Sequence, residues 1–232
     1  MNNLDQIATR IRDNFTAKNA ARDKALERSR TLIRFCANSI RAAHRDQRDE
    51  ARALLAQAKQ IVDAIRSDLA VYPDLYHAGY TQDALKEFAE ANIVLALIAD
   101  ESLPEPEALG VEYAAYLNGL GEAASEMRRR CLDIIRHDHS TEAERLLEAM
   151  EDVYSLLVTI DYPDAITGGL RRTTDLVRGV TERTRGDLTT SIRQQRLQEA
   201  LKQYGAGADP APGPGEARSP DEPVEPDERG EH

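Results

Sequence analysis

Two pairs of carboxylates carry the chemistry that this sequence suggests. In Glu87-Phe88-Ala89-Glu90-Ala91 the acids stand at i and i+3, and in Gly121-Glu122-Ala123-Ala124-Ser125-Glu126 they stand at i and i+4. Residues three or four apart on a helix lie about 5–6 Å apart at Cβ, so each pair offers two carboxylates on one side. The first pair shares its stripe with Val94, Leu97 and Ile98. The second has Ala115 and Gly119 beside it, small enough for another helix or a ligand to come close. If the two helices pack antiparallel, four carboxylates converge. Such a cluster repels itself unless protons or a cation neutralise it. Oxygen ligands without His or Cys suit Mg²⁺ or Mn²⁺. A metal held there lowers the pKa of a water and orients a phosphate, which is what phosphodiester hydrolysis needs.

A plainer reading of these acids stands beside the first. The chain holds 41 Asp and Glu among 232 residues, and Glu144, Glu148 and Glu151 repeat the same spacings on a helix that reads as solvated. A di-iron bundle needs Glu-x-x-His, and none of His44, His77, His137, His139 and His232 has a Glu three residues before it. His137-Asp138-His139 reads as cationic capping at a helix end.

The elements that must position these acids are helical throughout. Residues 1–204 contain only Pro73, Pro104, Pro106 and Pro163, which predict breaks near 70–80, 101–110 and 161–163. Between the breaks apolar residues recur at three and four, with no period-2 run. A long first helix carries Leu26, Leu32, Ile33, Phe35, Ile40 and Ala43, and Arg45 to Glu50 interrupts it. A second runs through Leu54 and Ile61 to Leu69. The third, from about Gln82 to Ala99, includes Ile93-Val94-Leu95-Ala96-Leu97-Ile98, apolar on all sides and therefore central. A fourth spans about Val111 to Arg136. A fifth, with Thr141 and Glu144 as a capping box, runs to about Ile160, and the last stretch covers Asp164 to Tyr204. The prediction is an all-α, single-domain bundle of about seven helices over residues 1–204. Residues 205–232 hold six Pro, five Gly and one bulky apolar residue, Val224, and are expected to be a disordered acidic tail.

Composition removes other classes. No apolar run approaches the roughly 18 residues of a membrane span, and the first residues lack the apolar stretch of a signal peptide. Two cysteines, Cys36 and Cys131, cannot build a disulfide framework, so a reducing, cytoplasmic setting is expected and both are read as small buried residues. The net charge of −11 argues against a nucleic-acid partner until its distribution is considered. Residues 1–48 carry 11 Lys and Arg against 5 Asp and Glu, and residues 170–204 carry 8 against 4. Residues 49–169 carry 9 against 24. An anionic ligand responds to that distribution and not to the total.

Three stretches resemble the translin family and, within it, the Trax-like (translin-associated factor X-like) branch. Arg28-Ser29-Arg30-Thr31-Leu32-Ile33-Arg34 through Ser39-Ile40-Arg41-Ala42-Ala43-His44-Arg45 is similar to the family's basic first helix. Glu87 to Ala91 is similar to the Trax-type Glu-Tyr-x-Glu-Ala, with Phe88 in place of Tyr. Tyr116-Leu117-Asn118-Gly119-Leu120-Gly121-Glu122-Ala123-Ala124-Ser125-Glu126-Met127-Arg128-Arg129 resembles the family's Tyr-Leu-x-Gly-x-x-Asp-x-x-Gly-Glu-Leu-x-Arg. A weaker match covers Leu156 to Arg193. Glu122 stands where the family has Asp, one methylene longer, and Ser125 stands where it has Gly.

The resemblance implies a seven-helix subunit assembling into a hollow, octamer-like homo-oligomer that binds single-stranded RNA or DNA, with Mg²⁺-dependent endoribonuclease activity in the Trax-like branch. By that resemblance the catalytic acids fall on Glu87, Glu90 and Glu122, with Glu126 as a fourth metal-binding acid. Arg28, Arg30, Arg34, Arg41 and Arg45 on the first helix then line a phosphate-binding surface. So do Arg171, Arg172, Arg178, Arg183, Arg185 and Arg193 on the last. The alternative is that these arginines pair with the acidic middle of the chain. Phe15 and Phe35 are the few aromatics near them, so base stacking and sequence readout are expected to be weak. Two other functions stay in view: a nucleic-acid-binding shell without catalysis, and an all-α Mg²⁺-dependent nucleotide pyrophosphatase using helical Glu-x-x-Glu pairs.

Overall fold

A computed structural model of the chain describes residues 3–136 and 140–207. Among them there are nine helices and no strand: α1 (Leu4–His44), α2 (Arg48–Asp68), α3 (Pro73–Tyr76), α4 (Gly79–Ala99), α5 (Pro106–Leu109), α6 (Tyr113–Ile135), α7 (Ser140–Leu157), α8 (Asp164–Thr167) and α9 (Leu170–Gly207). The all-α class is as predicted. The six long helices are those read from periodicity, and the three extra ones are single turns where prolines were expected to break the chain. Proline is compatible with the first turn of a helix, where no N–H partner is needed. Pro73 and Pro106 accordingly open α3 and α5, and Pro163 precedes α8.

Two boundaries differ from expectation. The stretch from Asp164 to Tyr204 is not one helix, because Gly168 (φ +62°) and Gly169 (φ +84°) adopt left-handed backbone and split α8 from α9. Helix α7 begins at Ser140, so Thr141 lies inside its first turn and not at its cap. The break between α1 and α2 falls within Arg45–Glu50 as predicted. Asp46 turns the corner at φ +59°, a conformation that Asp tolerates better than most residues. Arg130 on α6 secures that corner. Its guanidinium holds the Asp46 carboxylate at 2.9 and 3.1 Å, Glu142 at 3.1 Å and the His44 carbonyl at 3.2 Å.

By its internal contacts the chain divides into two units, Met1–Ile192 and Arg193–His232. In the first, α4 packs on α1 and on α6, α1 also on α2, and α6 also on α7. Helix α4 is the central rod anticipated from its run of apolar residues. Leu85, Phe88, Ala89, Ala91, Ile93, Val94 and Ile98 are all buried. Burying a side chain such as Phe88 or Ile93 contributes about 1.5–3 kcal/mol. The second unit holds the last turns of α9, with Leu197, Leu201 and Tyr204 exposed. Residues 208–232, most of the predicted tail, and His137–His139 lie outside the described residues.

Candidate metal centre and nucleic-acid interface

Glu87 and Glu90 extend from α4, and Glu122 and Glu126 from α6. Gly119 brings the two rods together. A Cβ at Gly119 would stand 2.8 Å from the Lys86 carbonyl oxygen and 2.9 Å from the Glu90 amide nitrogen, so only a hydrogen fits. Gly121, two residues on and on the opposite face of α6, makes the same allowance toward α9, where a Cβ would stand 2.3 Å from Thr173 Cγ2. The small residues read from sequence as permitting close approach therefore serve helix-to-helix contact. That contact delivers Glu122 to the α4 acids.

The structure brings three of the four predicted acids to one place. One carboxylate oxygen from each of Glu87, Glu90 and Glu122 lies within 4.8 Å of the others. Glu126 is not in that group. Its Oε2 lies 2.5 Å from His44 Nε2 on α1 and 3.6 Å from an Arg129 nitrogen. The hydrogen bond to His44 is the main influence holding the Glu126 carboxyl below the usual range, with His44 and Arg129 charge adding to it against burial. His44 Nδ1 is buried with no hydrogen-bond partner among the described residues.

Burial and crowding set the electrostatics of the trio. Glu90 is 8% exposed and makes no hydrogen bond or ion pair among the described residues. Desolvation first, then the charges of Glu87, Glu122 and Glu126, push its carboxyl up to about 8. Glu87 is raised as well, chiefly by burial, with Lys86 working against the rise. Lys86 Nζ donates to Glu122 Oε1 at 2.6 Å and lies 3.6 Å from Glu87 Oε1. Burial acts to lower the Lys86 ammonium, but the Glu122 hydrogen bond and the charges of Glu122, Glu87 and Asp83 outweigh it and leave it raised. Cys36, buried on α1, has its thiol pushed up by burial and then by Glu87 and Glu90. Cys36 and Cys131 are both free and buried, as read from composition.

An oxygen-only donor set of this kind suits a hard divalent cation. Sequence reasoning missed two residues of the site. Lys86 had a signal, a lysine directly before an i,i+3 acid pair. No spacing in the chain connects His44 to Glu126.

The predicted arginines divide into two groups. Arg28 bonds the Ala64 carbonyl at 2.7 Å and pairs with Asp68. Arg171 lies 3.6 Å from Asp161, Arg178 3.0 Å from Glu182, and Arg185 2.8 Å from Glu151. Arg45 donates to the Gln47 side chain at 2.5 Å. Arg30, Arg34, Arg41, Arg172, Arg183 and Arg193 are exposed and make no ion pair among the described residues. On α1, at 100° per residue, Arg30, Arg34, Arg41 and Arg45 fall within about 60° of one another, a single basic face. On α9 the three paired arginines recur every seventh residue. Arg172 and Arg183 are eleven apart and share a different face.

No family model matches the chain. An uncharacterized protein of Methanocaldococcus jannaschii is 33% identical over 192 residues, which is 82% of this chain and 85% of that protein. Two structures of AfC3PO, one of them in complex with duplex RNA, match at a TM-score of 0.75 and 29% identity, covering 82% of this chain and 98% of theirs. Apo-NeC3PO matches at a TM-score of 0.73 with the same coverage. At 20% identity it speaks for the fold alone. The C3PO proteins are of translin and Trax type, and the likeness to AfC3PO over nearly its whole length supports the translin family for this chain.

Proposed function

We propose that this protein is a Trax-like, Mg²⁺- or Mn²⁺-dependent endoribonuclease that acts on RNA as a homo-oligomeric, octamer-like shell in the cytoplasm. The observation that carries the reading is the meeting of Glu87, Glu90 and Glu122 within 4.8 Å, with Glu90 buried and unpaired. Carboxylates brought so close need protons or a cation, and their chemistry fits Mg²⁺ or Mn²⁺ held by these three side chains, with Glu126 as a fourth acid one turn along α6. A divalent ion there supplies an activated water and neutralises charge on a phosphodiester.

The chain's own side chains do the remaining work. Glu90, desolvated, is readily ionised only when a cation faces it, so it would give up its proton as the metal binds. Arg30, Arg34 and Arg41 hold the strand by its phosphates, which gives affinity without sequence readout. The likeness to AfC3PO, solved with duplex RNA, supports RNA as the ligand class, and the preference for single strands rests on the family resemblance. Both cysteines being free and buried fits a reducing compartment.

The test is incubation of labelled single-stranded and duplex RNA with the full chain in Mn²⁺ or in EDTA. Cleavage in Mn²⁺ that is abolished by EDTA and by Glu90→Gln is the expected result. Binding without metal-dependent cleavage would leave a strand-holding container and remove the nuclease.

A further inference from the structure

Lys86 occupies a position that the nuclease reading does not explain. Its Nζ is 2.6 Å from Glu122 Oε1 and 3.6 Å from Glu87 Oε1, and its side chain is 21% exposed. It is the one Lys or Arg paired with any of the three clustered carboxylates among the described residues. A charge-assisted hydrogen bond this short engages the carboxylate oxygen strongly, and a divalent cation would draw on the same carboxylate. Formal charge sharpens the competition. With Glu90 protonated, Lys86 faces two carboxylates, Glu87 and Glu122, and a divalent ion that draws the Glu90 proton off competes with the ammonium for the same oxygens. Yet an ammonium a few ångströms away repels that ion. The four-carbon stem and the remaining exposure give the ammonium room to move off Glu122.

We infer that Lys86 is a tethered counter-cation: it holds Glu87 and Glu122 together beside Glu90 when no divalent ion is bound, competes with that ion for Glu122, and is displaced by it. The inference rests on the proposed metal site and adds to it a threshold, a divalent-ion concentration below which the lysine occupies the cluster.

The experiment is calorimetric titration of Mn²⁺ into the full chain, without nucleic acid, for the wild type, Lys86→Met, Lys86→Gln, Lys86→Arg and Glu90→Gln, with thermal melts of each in EDTA and in Mn²⁺. Lys86→Met and Lys86→Gln are expected to bind Mn²⁺ at least about fivefold more tightly than the wild type, and Lys86→Arg to stay within about twofold of it. The two neutral variants should melt lower than the wild type in EDTA and recover in Mn²⁺. Equal or weaker Mn²⁺ binding in both neutral variants overturns the inference while leaving the metal site standing. If neither the wild type nor any Lys86 variant binds Mn²⁺, the metal site itself fails and the inference fails with it. Should Lys86→Met not fold, Lys86→Gln, of similar length and still able to donate to Glu122, decides the matter.

Discussion

Glu90→Gln will change how the stability of the metal-free protein depends on pH. The Glu90 carboxyl sits near 8 in the folded chain against about 4.5 when exposed, because burial and three neighbouring acids disfavour its charge. Between those values the folded state keeps a proton that the unfolded state has released. Stability therefore falls as pH rises, by about 1.4 kcal/mol per unit, and is level on either side. Across roughly 3.5 units the loss has a ceiling of about 5 kcal/mol. Water entry and adjustment of Lys86 trim it, and about 2–4 kcal/mol is expected. In a domain of this size that is about 4–16 °C in Tm. Glutamine has nothing to titrate there, so the difference between mutant and wild type should grow steadily from about pH 5 to pH 8 and level off above it. The assay is thermal unfolding of both proteins in EDTA at fixed protein concentration. Groups that do not face Glu90 titrate alike in the two and cancel in the comparison. Mn²⁺ should abolish the wild-type sag at high pH. Parallel wild-type and Glu90→Gln profiles over that range would refute the account of a buried, crowded carboxylate.

Gly119→Ala should cost about 1–3 kcal/mol in chemical unfolding and weaken Mn²⁺ binding, because its methyl would press on the backbone of Lys86 and Glu90. Arg30, Arg34 and Arg41 changed together to Ala should lower the dependence of log affinity on log salt for a single strand by about two, measured by anisotropy at several ionic strengths. Arg178→Ala, which removes a guanidinium already held by Glu182, should change that slope by less than one. Arg130→Ala should lower unfolding stability by about 2–4 kcal/mol, since it strips charged hydrogen bonds from Asp46 and Glu142 at once.

The long helices were readable because periodicity is a local property. The run Ile93 to Ile98 could only be a rod covered on every side, and all of it but the half-buried Leu97 is buried. The acid pairs were equally plain, and the small residues at Ala115 and Gly119 pointed to the close approach that unites them. Contacts between distant parts of the chain were hidden. Lys86 and Glu122 are 36 residues apart, and His44 and Glu126 are 82 apart, so no spacing encodes either partnership. The single-turn helices α3, α5 and α8 are too short for any period to register. The Gly168–Gly169 corner was passed over because two glycines beside a helical pattern do not announce left-handed backbone. The arginines split as they did because charge runs do not say which acids lie opposite them. Arg178 found Glu182 one turn away, while Arg34 found none among the described residues.

Asn118, next to Gly119, gives Nδ2 to the Thr167 carbonyl at 2.8 Å and receives the Thr173 hydroxyl on Oδ1 at 2.7 Å. A single amide thus rivets α6 to the α8–α9 elbow, on the same helical turn whose missing methyl fixes how near Glu122 comes to Glu87 and Glu90. Traction on that elbow would reach the acids as a change of gauge, widening or narrowing the jaws that grip an ion without altering which atoms do the gripping.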